Sequence, residues 1–200
     1  MFLKFGAQKY SANPLSSSDP PSSDSRSDEQ LVDALNRGEA AAFEAIYYRH
    51  RDWVARLARR FCGNDNDVLD VVQETFLYLH RKFPGFRLTA RLTTFLYPVV
   101  KHLALAIKKK RARMGEDLGT LDLLPSPQAN STQEGIDDLR AVLSAVPEIH
   151  REVLLMRYVD DMSLEEISTA LSIPLGTVKS RIHNALKALA ADERTTRFFE

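Results

Sequence analysis

The stretch from Ser163 to Leu189 limits most strongly what this chain can become. Ser163 and Glu166 stand three residues apart, so each can cap a free amide of a helix start, and the spacing predicts a helix from that point. Ile167, Ala170 and Leu171 recur at helical spacing and give it one apolar face. The next five residues, Ser172 to Gly176, break the pattern: Pro174 has no N–H and suits the first turn of a following helix. In that second helix Val178, Ile182, Ala185, Leu186 and Leu189 fall on one side, expected to be buried. Lys179, Ser180, Arg181, His183 and Asn184 fall on the other. Two helices, a short turn and a basic early face on the second describe a helix-turn-helix, whose second helix enters the major groove of DNA. An ordinary helical hairpin with a solvated basic face carries the same pattern.

Two hundred residues allow one domain or two small ones. The net charge is zero, so a nucleic-acid binder of this composition must gather its basic residues into patches. The single cysteine, Cys62, excludes an intrachain disulfide and, among apolar helical positions, reads as a buried structural thiol. No apolar run is long enough to span a bilayer, residues 1–10 are too short and mixed for a secretory signal, and a cytoplasmic location is expected.

Residues 1–27 are rich in Ser, Pro and Asp and read as a disordered extension. Ser27 or Asp28 can cap a first helix to Asn36, and Ala40 to Arg60 is strongly helical, with room for an interruption near His50 and a C-cap glycine at Gly63. The next helix, Asp65 to Phe83, packs through Val68, Val71, Val72, Phe76, Leu77 and Leu79. Asp67, Asp70, Gln73 and Glu74 form a polar patch on its early part. The helix dipole accounts for Asp67 and part of Asp70, and a partner surface accounts for all four. A loop with Arg87 and Arg91 follows. A helical pattern then runs from Leu92 to Arg113, beginning near Pro98 or kinking there. Five of the six residues Lys108 to Arg113 are basic. With Lys101, His102, Phe95 and Tyr97 upstream they suggest either a groove on which bases stack or a solvated basic helix end. Residues 114–134 lose periodicity, carry an acidic bias and read as a linker. Helices through Ile136, Leu139, Val142, Leu143 and Val146, then through Ile149, Val153, Leu154 and Met156, lead into the helix-turn-helix. Residues 195–200 close the chain as a charged tail. The fold class expected is all-α: two small helical domains, residues 28–113 and 135–194, joined by a flexible linker.

Several phrases in order resemble the extracytoplasmic-function (ECF) group of bacterial RNA polymerase sigma factors, over about residues 28–194. Asp70-Val71-Val72-Gln73-Glu74-Thr75-Phe76 resembles that family's clamp-binding helix. Phe83-Pro84-Gly85-Phe86, with Arg91-Leu92-Thr93-Thr94-Phe95-Leu96-Tyr97, resembles its promoter-melting segment. Val146 to Leu154 and Pro174 to Arg181 resemble its second domain. The resemblance implies binding to core RNA polymerase (clamp and flap) and to promoter DNA, with an anti-sigma factor as a further partner, and no cofactor or metal, small-molecule substrate or membrane insertion. It places Asp67, Asp70, Gln73, Glu74 and Leu77 on the polymerase. It places Phe86, Arg87, Arg91, Thr94, Phe95, Lys101, His102, Lys108 and Lys109 on the minus-ten element, where a base leaves the stack. It places Thr177, Lys179, Ser180, Arg181, His183, Asn184 and Lys187 on the minus-thirty-five element. The chain departs from the family pattern at six positions. Phe95 stands for the usual Trp, His102 for Asn and Ala106 for Asp; Pro98 replaces a residue that is often basic, Ser172 a turn glycine and Asn184 an Arg. The roles of these positions carry over, and the promoter sequence does not. A stand-alone regulator would use the same helix-turn-helix as a dimer and would have no need of residues 67–113. An enzyme would need a phosphate loop or metal-spaced His/Cys set that the sequence lacks.

Overall fold

The computed structural model describes residues 24–115 and 133–196. Among them every regular element is a helix, as the 3.6-residue period of the apolar positions demands. Helix α1 spans Asp28–Asn36, and Ser27 caps it reciprocally with Gln30. Gly38, at φ 88, turns the chain where a side chain would be strained. Helix α2, Ala40–Arg59, passes His50 without interruption. His50 is buried and meets an Asp28 carboxylate oxygen at 3.0 Å through Nε2, which ties α2 to the start of α1. Burial works to raise the Asp28 carboxyl, but hydrogen bonds and charge from His50 and Arg49 outweigh it and hold the group below its ordinary range.

Gly63 is not the C-cap glycine the sequence suggests. The end of α2 stays right-handed at Arg60, and the Phe61 and Cys62 amides both donate to the Ala58 carbonyl at 2.9 Å. Cys62 is buried, and burial, with the Asp67 charge nearby, pushes its thiol up to about 11. Helix α3 is Asp65–His80, capped by Asn64, and α4 is Leu92–Arg113. Pro98 lies within α4 and not at its start, so the Thr94 carbonyl lacks its usual amide partner. Leu31, Ile46, Leu57, Leu79, Leu92 and Leu96, all fully buried, form the centre of this four-helix unit.

Helices α5 (Gln133–Ala145), α6 (Glu148–Tyr158), α7 (Leu164–Leu171), α8 (Leu175–Ala190) and the short α9 (Glu193–Thr196) make the second unit. The Ser163–Glu166 capping box is present in both directions, at 3.1 and 2.7 Å. Ser163→Ala should therefore cost about 1 kcal/mol of stability, read as a lower urea midpoint with unchanged slope. Ser172 adopts φ 53 and closes α7 in the left-handed region, and Pro174 stands at the N-cap position of α8, one residue before the first turn, without a side-chain hydrogen bond. Three residues expected in the core are exposed: Leu139 by 39%, Ile149 by 53% and Leu186 by 44%. They lie on the flanks of their apolar stripes. Val142, Leu143, Val153, Leu154, Val178 and Ala185 fill the interior instead.

The two units pack together. Val153, Met156, Met162, Ile167, Ala170 and Val178 join the same apolar cluster as the α1–α4 core, and α7 lies against α4. Arg60 and Asp160, nearly inaccessible to water, form a two-pronged ion pair across the junction at 2.6 and 2.8 Å. The extension up to residue 23, the acidic linker from residue 116 to 132 and the last four residues lie outside the described residues. No described helix is long and apolar enough to cross a membrane.

Candidate nucleic-acid interface

Three polar surfaces arise from the helices described above. On α3 the side buried against α2 and α4 uses Val68, Val71, Val72, Thr75, Phe76 and Leu79. Helical geometry turns Asp70, Gln73, Glu74 and Leu77 outward, and all four are exposed. Leu77, expected to pack inside, is 47% exposed and stands on this outer face with Leu69. Asp67 is set apart, because its carboxylate accepts from Arg111 at 2.9 Å and from Asn64 at 2.7 Å. The exposed remainder is an acidic and amide surface with an apolar contact at each end, suited to a protein partner.

The second surface gathers around the start of α4. Phe86, Arg87, Thr94, Phe95 and His102 line one cavity of about 470 Å³ together with Tyr78. Phe86 and Phe95 rings are 4.8 Å apart, and Tyr78 stacks on Phe95 at 6.3 Å. Aromatic faces of this kind receive a flat base, and arginine adds charge for its phosphate. The Thr94 hydroxyl is buried in this wall without a hydrogen-bond partner. Lys101 lines an adjoining cavity with His102, whereas Lys108 lines a third beside Arg60, and Lys109 is exposed beyond it. The structure thus groups Phe86, Arg87, Thr94, Phe95, Lys101 and His102, leaving Lys108 and Lys109 outside the group.

Two residues of this surface escaped the reading of the sequence. Asn36, at the end of α1, donates to the Phe86 carbonyl at 2.8 Å and accepts from the Gly85 amide at 2.7 Å, which holds the loop in place. Gly85, at φ 100, permits the turn. Tyr78, which lines the cavity, lies under the Lys82 ammonium at 4.5 Å. An asparagine ending a helix beside a turn was the available signal for the first. The contact itself spans about fifty residues of sequence and leaves no local pattern.

The third surface is α8. Val178 and Ala185 are buried, and Lys179, Ser180, His183, Asn184 and Lys187 are exposed. Arg181 and Thr177 are half-buried at the edge of that face. Ser180 donates to the Thr177 carbonyl at 3.0 Å, so its hydroxyl proton is engaged within the helix.

Residues 46–114 match the family described as Sigma-70 region 2, and residues 136–189 match Sigma-70, region 4. The chain is 30% identical over 184 residues to the ECF RNA polymerase sigma-E factor of Escherichia coli (strain K12), which covers 84% of this chain and 94% of that one. It is 29% identical over 174 residues to the ECF RNA polymerase sigma factor SigW of Bacillus subtilis (strain 168), covering 79% and 92%. Its fold is similar to that of CnrH, solved in complex with the cytosolic domain of CnrY, at a TM-score of 0.61 and 22% identity over 82% of this chain and 95% of that one. It is also similar to the sigma factor RpoE of Bartonella quintana, solved with the anti-sigma factor NepR, at 0.60 and 19% over 74% and 93%.

Paired regions 2 and 4 on one all-helical chain define a two-domain transcription initiation factor of the sigma-70 type. Within that class the chain belongs to the ECF group of RNA polymerase sigma factors. It binds core polymerase and directs it to promoters, and it is not an enzyme.

Proposed function

We propose a division of labour among the three surfaces of this sigma factor. Asp70, Gln73, Glu74 and Leu77 on α3 dock on the polymerase clamp. The aromatic cavity of Phe86, Arg87, Thr94, Phe95 and His102, with Lys101 in the adjoining cleft, captures a nontemplate base of the minus-ten element, with Arg91 at its edge. The unstacking cost of a few kcal/mol per base is offset by stacking on Phe86 and Phe95 and by phosphate contacts. The exposed face of α8, with Arg181 at its rim, reads the minus-thirty-five element in the major groove. Asp67, held by Arg111 and Asn64, positions the start of α3 and does not itself reach the polymerase. The linker carries the chain between the two readers, and the flap of the polymerase holds the second one.

The observation that carries this reading is the separation of tasks on α3: one face is closed in the core, and the opposite face holds four exposed residues whose side chains make no hydrogen bond or ion pair among the described residues. An anti-sigma factor is a further proposed partner, as one fold neighbour was solved with such a protein. A cytoplasmic location follows from work with polymerase. The test is Gln73→Ala combined with Glu74→Ala. Both side chains are exposed, so unfolding should be unaffected, and affinity for core polymerase should fall about tenfold, or roughly 1.4 kcal/mol. Equal co-purification of the variant and the parent would remove the clamp assignment.

A further inference from the structure

The rings around the base cavity form a row, and one of them is fixed by a residue of the first helix. Phe83, Phe86, Phe95 and Tyr78 follow one another with ring centres 5.5, 4.8 and 6.3 Å apart. Phe95 and Tyr78 stand on α4 and α3 and take their places from those helices. Phe86 stands on the loop between them, and a loop side chain needs a support of its own to be held in a working geometry. From Pro84 to Ala90 the backbone makes two hydrogen bonds among the described residues, and both go to the side chain of Asn36. Its Nδ2 donates to the Phe86 carbonyl at 2.8 Å, and its Oδ1 accepts from the Gly85 amide at 2.7 Å. A primary amide offers a donor and an acceptor side by side, as two successive peptide groups require. Asn36 ends α1, whose Leu31, Val32 and Ala34 are closed in the core and whose first turn is tied to α2 by Asp28 with Arg49 and His50. The loop therefore hangs from a fixed helix.

We infer that Asn36 is a positioning residue for base capture: its two bonds to the loop hold the Phe86 ring against Phe95, and α1 is thereby part of the minus-ten reader. The inference rests on the proposed placement of that reader at Phe86 and Phe95. Without the amide the loop keeps only the contacts of its side chains, and Phe86 leaves the aligned state part of the time. A base then finds its stacking partner in a fraction of the molecules, and the apparent affinity falls by that fraction. The fold does not depend on the order of this loop, because residues 84–90 contribute no buried side chain.

The experiment uses holoenzyme reconstituted with core polymerase, and a promoter that the parent selects from a random library. The promoter is supplied as a fluorescein-labelled fork whose nontemplate strand is single across the minus-ten element. Asn36→Ala should weaken fork binding about tenfold, with affinity for core polymerase and the helical circular dichroism of the free chain as in the parent. Gly85→Ala enters the same loop by another route. A Cβ there would meet nothing within 4 Å, so this variant strains only the turn at φ 100, and it should show the same loss. If Asn36→Ala loses helical circular dichroism, Gly85→Ala carries the test. The Phe86→Ala background shows whether the effect passes through the ring. There neither substitution should weaken binding further, since the group they position is gone, whereas a general loosening of the domain would add in full. Beside a weakened Phe86→Ala, an Asn36→Ala holoenzyme that binds the fork as the parent does would overturn the inference alone. So would a loss that adds undiminished to that of Phe86→Ala. If Phe86→Ala itself binds as the parent does, the placement of the reader at Phe86 fails, and the inference with it.

Discussion

Leu79→Ala should lower the free energy of unfolding by about 2–5 kcal/mol, as expected of a fully buried leucine. Leu79 is fully buried on the inner face of α3, between α2 and α4. Its removal forfeits the transfer energy of the lost methyl groups and leaves a cavity in a helix whose neighbours are pinned from both sides. A folded chain of this size has about 5–15 kcal/mol in hand, so the variant should be measurably unfolded at temperatures where the parent is not. The measurement is urea denaturation followed by circular dichroism, with the midpoint moved and the slope unchanged. Leu79→Ile, which conserves volume, should cost less than about 1.5 kcal/mol. Equal stability of Leu79→Ala and the parent would mean that α3 is not held as described. The result bears on function because the same helix carries Gln73 and Glu74, the residues proposed to dock on the polymerase. Loosening its inner face should weaken that contact without touching a contact residue, an effect that Leu79→Ile should not share.

Much of this arrangement was legible in the residues because it is local. A capping box acts over three residues, which is why Ser163 and Glu166 announce α7 and why the pair is found bonded as expected. The apolar period places Val71, Leu79, Ile167 and Val178 inside without knowledge of their neighbours. Period alone does not tell the centre of a stripe from its edges. Leu77, Leu139, Ile149 and Leu186 are such edge residues, and their exposure is decided by what packs beside them. The docking of one domain on the other left no trace, since Arg60 and Asp160 stand a hundred residues apart. Each looks like an ordinary surface charge until the fold buries both. The cation patch on α4 was visible as composition. That the chain's own Glu152 and Glu166 sit against part of it was not. Nor could the run Lys108 to Arg113 be divided by inspection, although Arg111 serves Asp67 and Lys108 faces a different cleft.

Arg181→Ala should weaken binding to a minus-thirty-five duplex by about 1–3 kcal/mol, a loss of roughly five- to more than a hundredfold. Arg181 lies in the N-terminal half of α8, the part of a recognition helix that meets base edges and phosphates. No carboxylate among the described residues pairs with it, so its guanidinium is available to DNA, and its removal strands no buried charge. Unfolding should move by less than about 0.5 kcal/mol, as for a surface substitution, because Val178 and Ala185 hold α8 to the core from the opposite face. Salt distinguishes the two kinds of contact that Arg181 can make. If it meets a phosphate, the variant should lose about one unit from the slope of log affinity against log salt, and all sequences should weaken alike. If it meets a guanine edge, the slope should barely change, and discrimination at one base pair should relax. The measurement is footprinting of the reconstituted holoenzyme on selected promoters across a salt series, with Lys187→Ala, further along the same exposed face, as the phosphate-type comparison. An unchanged footprint at every salt concentration would take Arg181 out of the interface and shift the reading of this element toward Lys179 and His183.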